Sequence, residues 1–254
     1  MKNERFLECL DRDYHRMHDV ASGLEPSAPV PSCPDWTVKD LVEHTARVYL
    51  HKVKATELGR EDMADWPPDL SGFDTPIAAF EDAYAQLTNM FDTHDPSDHS
   101  GTWYDGDQTV GFWIRRMAQE TVIHRRDAEL AAGDPTPADP ELAIDGIAEL
   151  LDIFVAYPTH KWNEECQPVL EPANGETLLV DAAGTRWLAE ITLAGVEVSR
   201  PGHVPPATVR VSGSPSAVLF WLWNRWDESD GAVDVSGDAD AQERLRNLLT
   251  LSTQ

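Results

Sequence analysis

The sequence predicts an α+β protein in two parts, a larger helical region followed by a smaller region that mixes strands and helices. Three observations carry that expectation. Apolar residues recur at helical spacing in successive stretches up to about residue 157. After Trp162 the pattern changes to short β-branched runs separated by glycines. A hydrophobic share of 41% with nine tryptophans supports a packed core and argues against disorder. The change of period sets the expected domains at residues 1–165 and 166–254.

The first helix is expected over residues 3–23, with Phe6, Leu7, Leu10, Tyr14, Met17 and Val20 at helical spacing. Gly23 and Pro26 end it, and residues 26–34 form an extended, proline-rich connection. The stretch CPDWTVKDLVEH at 33–44 then opens a second helix. Thr37 is the expected N-cap, and Asp40 three residues on completes a capping box. Trp36 before the cap and Leu41 in the first turns suit a hydrophobic staple. His44 falls on the apolar stripe of this helix and is expected to face the core. Residues 57–75 look irregular, with Pro67-Pro68 and two glycines.

A third helix is expected over 76–91 and a fourth over 109–132, the latter closed by Gly133 and Pro135. Trp113, Met117, Glu120, His124, Asp127 and Ala131 share one stripe of the fourth helix. A fifth is expected over 140–157. Strands follow at 177–181, 186–193, 196–199, 208–212 and 233–236. An apolar helix at 217–223 and a closing helix at 238–249 complete the chain.

Net charge of −25 argues against nucleic acid or an anionic membrane as partner, since both would be repelled. Three cysteines, Cys9, Cys33 and Cys166, are far apart and form no CxxC pair. That count fits a reducing cytoplasm and supports no disulfide framework. The charged, amphipathic N-terminal stretch and the lack of a long apolar run lead to the expectation of a soluble, cytoplasmic protein.

The chemistry concentrates at ETVIHRRDAELAAG, residues 120–133. Glu120 and His124 stand at i and i+4, so both side chains leave one helix face, one above the other. A carboxylate and an imidazole so placed can hold a metal when a third donor arrives, and His44 is the best candidate for it. Alone, E-x-x-x-H is a weak motif, more often a solvated charge pair, and a histidine on an apolar face is more often a core residue. Asp127, one turn beyond His124, has two readings: a surface partner for Arg126 or Arg115, or a group that orients His124. Arg115 and Arg116 are expected on a solvated face. Cys33 is expected to be an inert thiol, because nothing basic adjoins it.

The pairing of CPDWTVKDLVEH with ETVIHRRDAELAAG resembles the mycothiol-dependent maleylpyruvate isomerase family, part of the DinB-like thiol-dependent metalloenzymes. The likeness covers most of the chain, and VSGSPS at 211–216 through VSGD at 235–238 resembles that family's small C-terminal domain. It implies a DinB-like four-helix bundle ahead of a small α+β domain. It also implies His44, Glu120 and His124 as metal ligands, and Arg225 as the functional arginine of the C-terminal domain. The implied cofactors are a divalent metal, with zinc favoured and Fe(II) also suited to this donor set, and mycothiol as the diffusible thiol. The implied activity is isomerisation or S-conjugation of a small electrophilic, anionic substrate. The alternative is a metal- or small-ligand-binding protein of the same fold that catalyses nothing.

Overall fold

Capping chemistry fixes where the first helices begin and end. In the computed structural model, which describes residues 1–60 and 66–253, Thr37 Oγ1 accepts from the Asp40 amide and the Asp40 carboxylate accepts from the Thr37 amide at 2.9 Å. That reciprocal pair satisfies two amides that a helix start leaves without partners. Thr75 and Thr109 cap the next two helices with a single bond each, their side chains accepting from the Ala78 and Phe112 amides. Gly133 closes the fourth at φ 71°, a left-handed conformation that glycine adopts without steric cost.

By its internal packing the chain divides into two units, Met1–Thr136 and Pro137–Gln254. The first holds α1 (Asn3–Ser22), α2 (Val38–Leu58), α3 (Pro76–Thr93) and α4 (Val110–Ala132), with α1 on α4, α2 on α3 and α2 on α4. Leu10, Met17, Leu41, Tyr49, Phe80, Leu87, Trp113 and Met117 are all essentially inaccessible and form its core. Each fully buried aliphatic side chain there contributes roughly 1.5–3 kcal/mol. Helix α4 is buried on nearly every side, including Arg116, Arg125, Arg126, Asp127 and Glu129. The connection expected to be merely extended forms a small antiparallel ribbon, β1 (Pro29–Val30) with β2 (Cys33–Thr37), which leads directly into α2. Of the stretch expected to be irregular, α2 takes the first two residues, and 61–65 lie outside the described residues.

The second unit begins with α5 (Pro140–Glu149), which passes through a π-helical segment (Leu150–Ala156) into α6 (Tyr157–Lys161). The wider register lies just ahead of Pro158, whose ring would clash with the carbonyl four residues back in an unbroken α-ladder. Next comes α7 (Asn163–Ala173), a helix that the sequence pattern hides because Pro168 and Pro172 lie inside it. It forms because Cys166, Leu170 and Ala173 bury one face.

Strands β3 (Thr177–Ala182), β4 (Thr185–Thr192), β5 (Gly195–Ser199), β6 (Val209–Gly213) and β7 (Asp234–Gly237) make a sheet ordered β5-β4-β3-β6-β7. Within this sheet the β3–β6 pairing is parallel and the other three pairings are antiparallel. Helix α8 (Pro215–Leu222) packs on α5 and on β3 and β6, and α9 (Ala239–Thr253) packs on α7. The change from helix to strand and the division by packing mark different things. Helix α5 precedes the first, yet it belongs with the sheet-containing unit through its face on α8.

Candidate metal centre

Helices α2 and α4 position the centre. Tyr49 and Thr121 share a buried hydroxyl–hydroxyl hydrogen bond of 2.5 Å, and Thr121 Oγ1 also donates to the Met117 carbonyl. That bond ties the two helices together one residue past Glu120 and just over one turn past His44. The capping box at Thr37 sets the start of α2, and with it the direction in which His44 leaves the helix.

The structure brings His44, Glu120 and His124 together, with one ligand atom from each lying within 4.8 Å of the other two. Glu120 Oε1 stands 3.1 Å from His124 Nε2 and 3.5 Å from His44 Nε2. The two imidazoles meet edge to face, centroids 4.9 Å apart. His44 does not face the core as expected. Its side chain is 38% exposed, at the margin of a buried stripe formed by Leu41, Thr45, Ala46 and Tyr49, so the centre opens toward solvent on the α2 side. The Trp36 ring lies 4.7 Å from the His44 ring and 6.0 Å from that of His124, forming an apolar wall beside both imidazoles.

Two buried groups hold Glu120 and His124 from behind. Asp127 is fully buried, so of its two readings the surface one is set aside. Its Oδ2 lies 2.9 Å from His124 Nδ1, and Ser32 Oγ donates to its Oδ1 at 2.5 Å. Arg116, expected on a solvated face, is only 4% exposed, and its Nη2 donates to Glu120 Oε2 at 2.6 Å. The solvated face fails at Arg116 because α4 packs on α1, α2 and β1 and is buried along most of its length, while Arg115 is half-buried. Arg116, Glu120, His124 and Asp127 therefore form a ladder of alternating charge along one helix face. Arg116 could have been read from its i, i+4 relation to Glu120, whereas Ser32 and Trp36 left no signal pointing at the centre.

This ladder sets the protonation states. Burial opposes charge on Glu120, but His124, His44 and Arg116 together hold its carboxyl well below the usual range. Burial likewise disfavours charge on His124, yet Glu120 and Asp127 override it and raise the imidazole to about 9. Without a metal, a proton therefore sits between His124 Nε2 and Glu120 Oε1. Once that proton leaves, Nδ1–H stays with Asp127 and the Nε2 lone pair faces the centre, as a metal-ligating histidine requires. Two imidazoles and a carboxylate, each with a buried partner on its far side or a helix fixing its direction, fit a divalent metal such as zinc with coordination positions to spare.

Cys33 lies beside the same aspartate, with Sγ 3.9 Å from Asp127 Oδ2. A carboxylate neighbour does not favour a thiolate. Arg225 belongs to the second unit, just beyond α8 and half-buried, where Nη1 donates to the Trp223 carbonyl at 2.6 Å. That bond satisfies a carbonyl at the C-terminal end of α8, where a cation also complements the helix dipole.

The family model for the mycothiol maleylpyruvate isomerase N-terminal domain matches residues 7–129, and the model for the MDMPI C-terminal domain matches residues 141–244. Among solved structures, the chain is similar to the crystal structure of the mycothiol-dependent maleylpyruvate isomerase at 15% identity, with 94% of this chain and 95% of that one covered and a TM-score of 0.61. A point mutant of that enzyme matches at 16% identity with the same coverage and TM-score. No curated protein sequence matches the chain. Among the described residues, no helix is long and apolar enough to cross a membrane.

Proposed function

The chain belongs to the mycothiol-dependent maleylpyruvate isomerase family, and on that premise we propose that it is a metal-dependent enzyme using mycothiol to isomerise a small, electrophilic, anionic substrate. The observation that carries this reading is the meeting of His44 Nε2, Glu120 Oε1 and His124 Nε2 in one place. These residues are the proposed ligands. A divalent metal, zinc by the donor set, would supply Lewis-acid chemistry that keeps a coordinating thiol deprotonated at neutral pH.

The residues around the centre do the rest. Asp127 holds His124 in the tautomer whose Nε2 is free to ligate. Arg116 holds the far oxygen of Glu120. Trp36 shields one side of the imidazole pair from water. Arg225 is assigned, on the family likeness alone, to a carboxylate of the substrate or thiol, which a guanidinium fork binds well.

The reaction that fits is thiol addition followed by elimination. The thiolate forms a C–S bond to the alkene carbon while the π electrons move toward the conjugated carbonyl oxygen. Rotation about the resulting single bond and expulsion of the thiolate restore the alkene as the trans isomer and return the thiol unconsumed. S-conjugation shares the first step and lacks the expulsion.

The test is incubation of the zinc-loaded protein with mycothiol and maleylpyruvate, followed by absorbance and mass spectrometry. Formation of the trans isomer with sub-stoichiometric thiol supports isomerisation. A stable thiol adduct replaces isomerisation by transfer. No product, together with no heat when mycothiol is titrated in, would overturn the enzymatic reading.

A further inference from the structure

Glu120 is held at both oxygens. Oε1 faces the two imidazoles, while Oε2 accepts from Arg116 Nη2 at 2.6 Å. The guanidinium is buried, with its side chain 4% exposed, and cannot swing out into water. The order along the helix also matters. Arginine four residues before glutamate is the weaker orientation for helix stability, so the pair gains little from helix propensity alone.

We infer that Arg116 is a positioning residue that limits Glu120 to a single-oxygen ligand, an inference that rests on the metal reading above. A carboxylate can bind a metal through one oxygen or two, and the second oxygen would take up a coordination position. To offer Oε2, Glu120 would have to break a short, charge-assisted hydrogen bond. It would also leave a buried guanidinium without that partner, which is costly in a low-dielectric setting. With a metal bound, Arg116 would thereby leave a coordination position open to the thiol. The residue touches neither thiol nor substrate and acts only through Glu120.

The test uses the full-length protein loaded with cobalt(II), whose visible absorption weakens as the ion gains ligands. Wild type, Arg116→Met and Arg116→Lys are compared before and after titration with mycothiol. Methionine fills the space but cannot hold the carboxylate, and lysine keeps the charge without the planar fork. The expected result is weaker visible bands in Arg116→Met, about a 10-fold higher thiol concentration to reach half-saturation of the sulfur-to-cobalt band, and an intermediate lysine variant. A merely structural arginine would lower the melting temperature and leave the spectrum of the loaded protein unchanged. Arg116→Met that loads cobalt with the wild-type spectrum and thiol dependence overturns the inference while leaving the metal reading intact. Wild type that binds no cobalt overturns both. Should the methionine variant fail to fold, an unchanged spectrum in Arg116→Lys overturns the inference and a shifted one supports it.

Discussion

Helix α4 contributes to two charge clusters, and the donor types of only one of them suit a metal. In the first, Glu129 accepts from Arg16 Nε at 2.8 Å, from Arg125 Nη1 at 3.2 Å and from the Thr136 amide at 3.0 Å, while Asp13 faces Arg125 and Arg12. Glu129 is fully buried and the Asp13 and Arg125 side chains are 3% and 4% exposed, while Arg16 reaches solvent at 36%. In the second, the side chains of Glu120 and His44 are 18% and 38% exposed, and two imidazoles converge on one carboxylate oxygen. Guanidinium is cationic at every accessible pH, so the first cluster has no nitrogen lone pair to offer a metal. Imidazole can lose its proton, so the second can exchange a proton for a metal. Neither burial nor a partly exposed member separates the clusters, since Arg16 is about as exposed as His44; the donor types do.

The largest expected effect falls on the arginine cluster. Glu129→Gln leaves Arg16 and Arg125 without their shared anion and should cost about 3–5 kcal/mol, read as a lower urea midpoint at unchanged slope, with metal binding by the folded protein unaffected. His44→Ala should do the reverse. Metal-free stability should change by about 0.5 kcal/mol or less, as at other partly exposed positions, while zinc affinity in a chelator competition falls at least about 100-fold. Equal metal loss in both variants would erase the distinction between the clusters.

Asp127→Asn leaves all three ligands in place and should lower zinc affinity about 10- to 100-fold. The pH dependence sharpens the same contrast. The His124 imidazole is raised to about 9 from its usual 6.5. In metal-free protein its proton therefore contributes stability that is present in full below 6.5 and lost as pH rises through 9. Metal must displace that proton. Zinc affinity should thus rise by about a factor of ten per pH unit below 9 and level off above it, and Glu129→Gln should leave that slope unchanged.

Much of this architecture was legible in the sequence. The Thr37–Asp40 capping box, the Gly133 stop and the helical periodicity located α1 to α4 within a residue or two, because local chemistry decides those ends. Helix α7 was hidden by Pro168 and Pro172, and the β1–β2 ribbon by its brevity and its prolines. At the centre, the spacing of Glu120 and His124 was legible as one helix face. The approach of His44 is a matter of helix packing, which no spacing encodes, and it was expected only from the family likeness. Asp127 and Arg116 were harder, since charged residues look solvated until it is known that most of α4 is buried.

The contrast between the two clusters is tested most directly by elemental analysis of purified wild type, His44→Ala and Glu129→Gln after zinc loading and dialysis. About one zinc per chain is expected in wild type and in Glu129→Gln, with His44→Ala close to none. Zinc-free wild type, or His44→Ala that retains as much zinc as wild type, would contradict the assignment of the His44, Glu120 and His124 cluster as a metal centre.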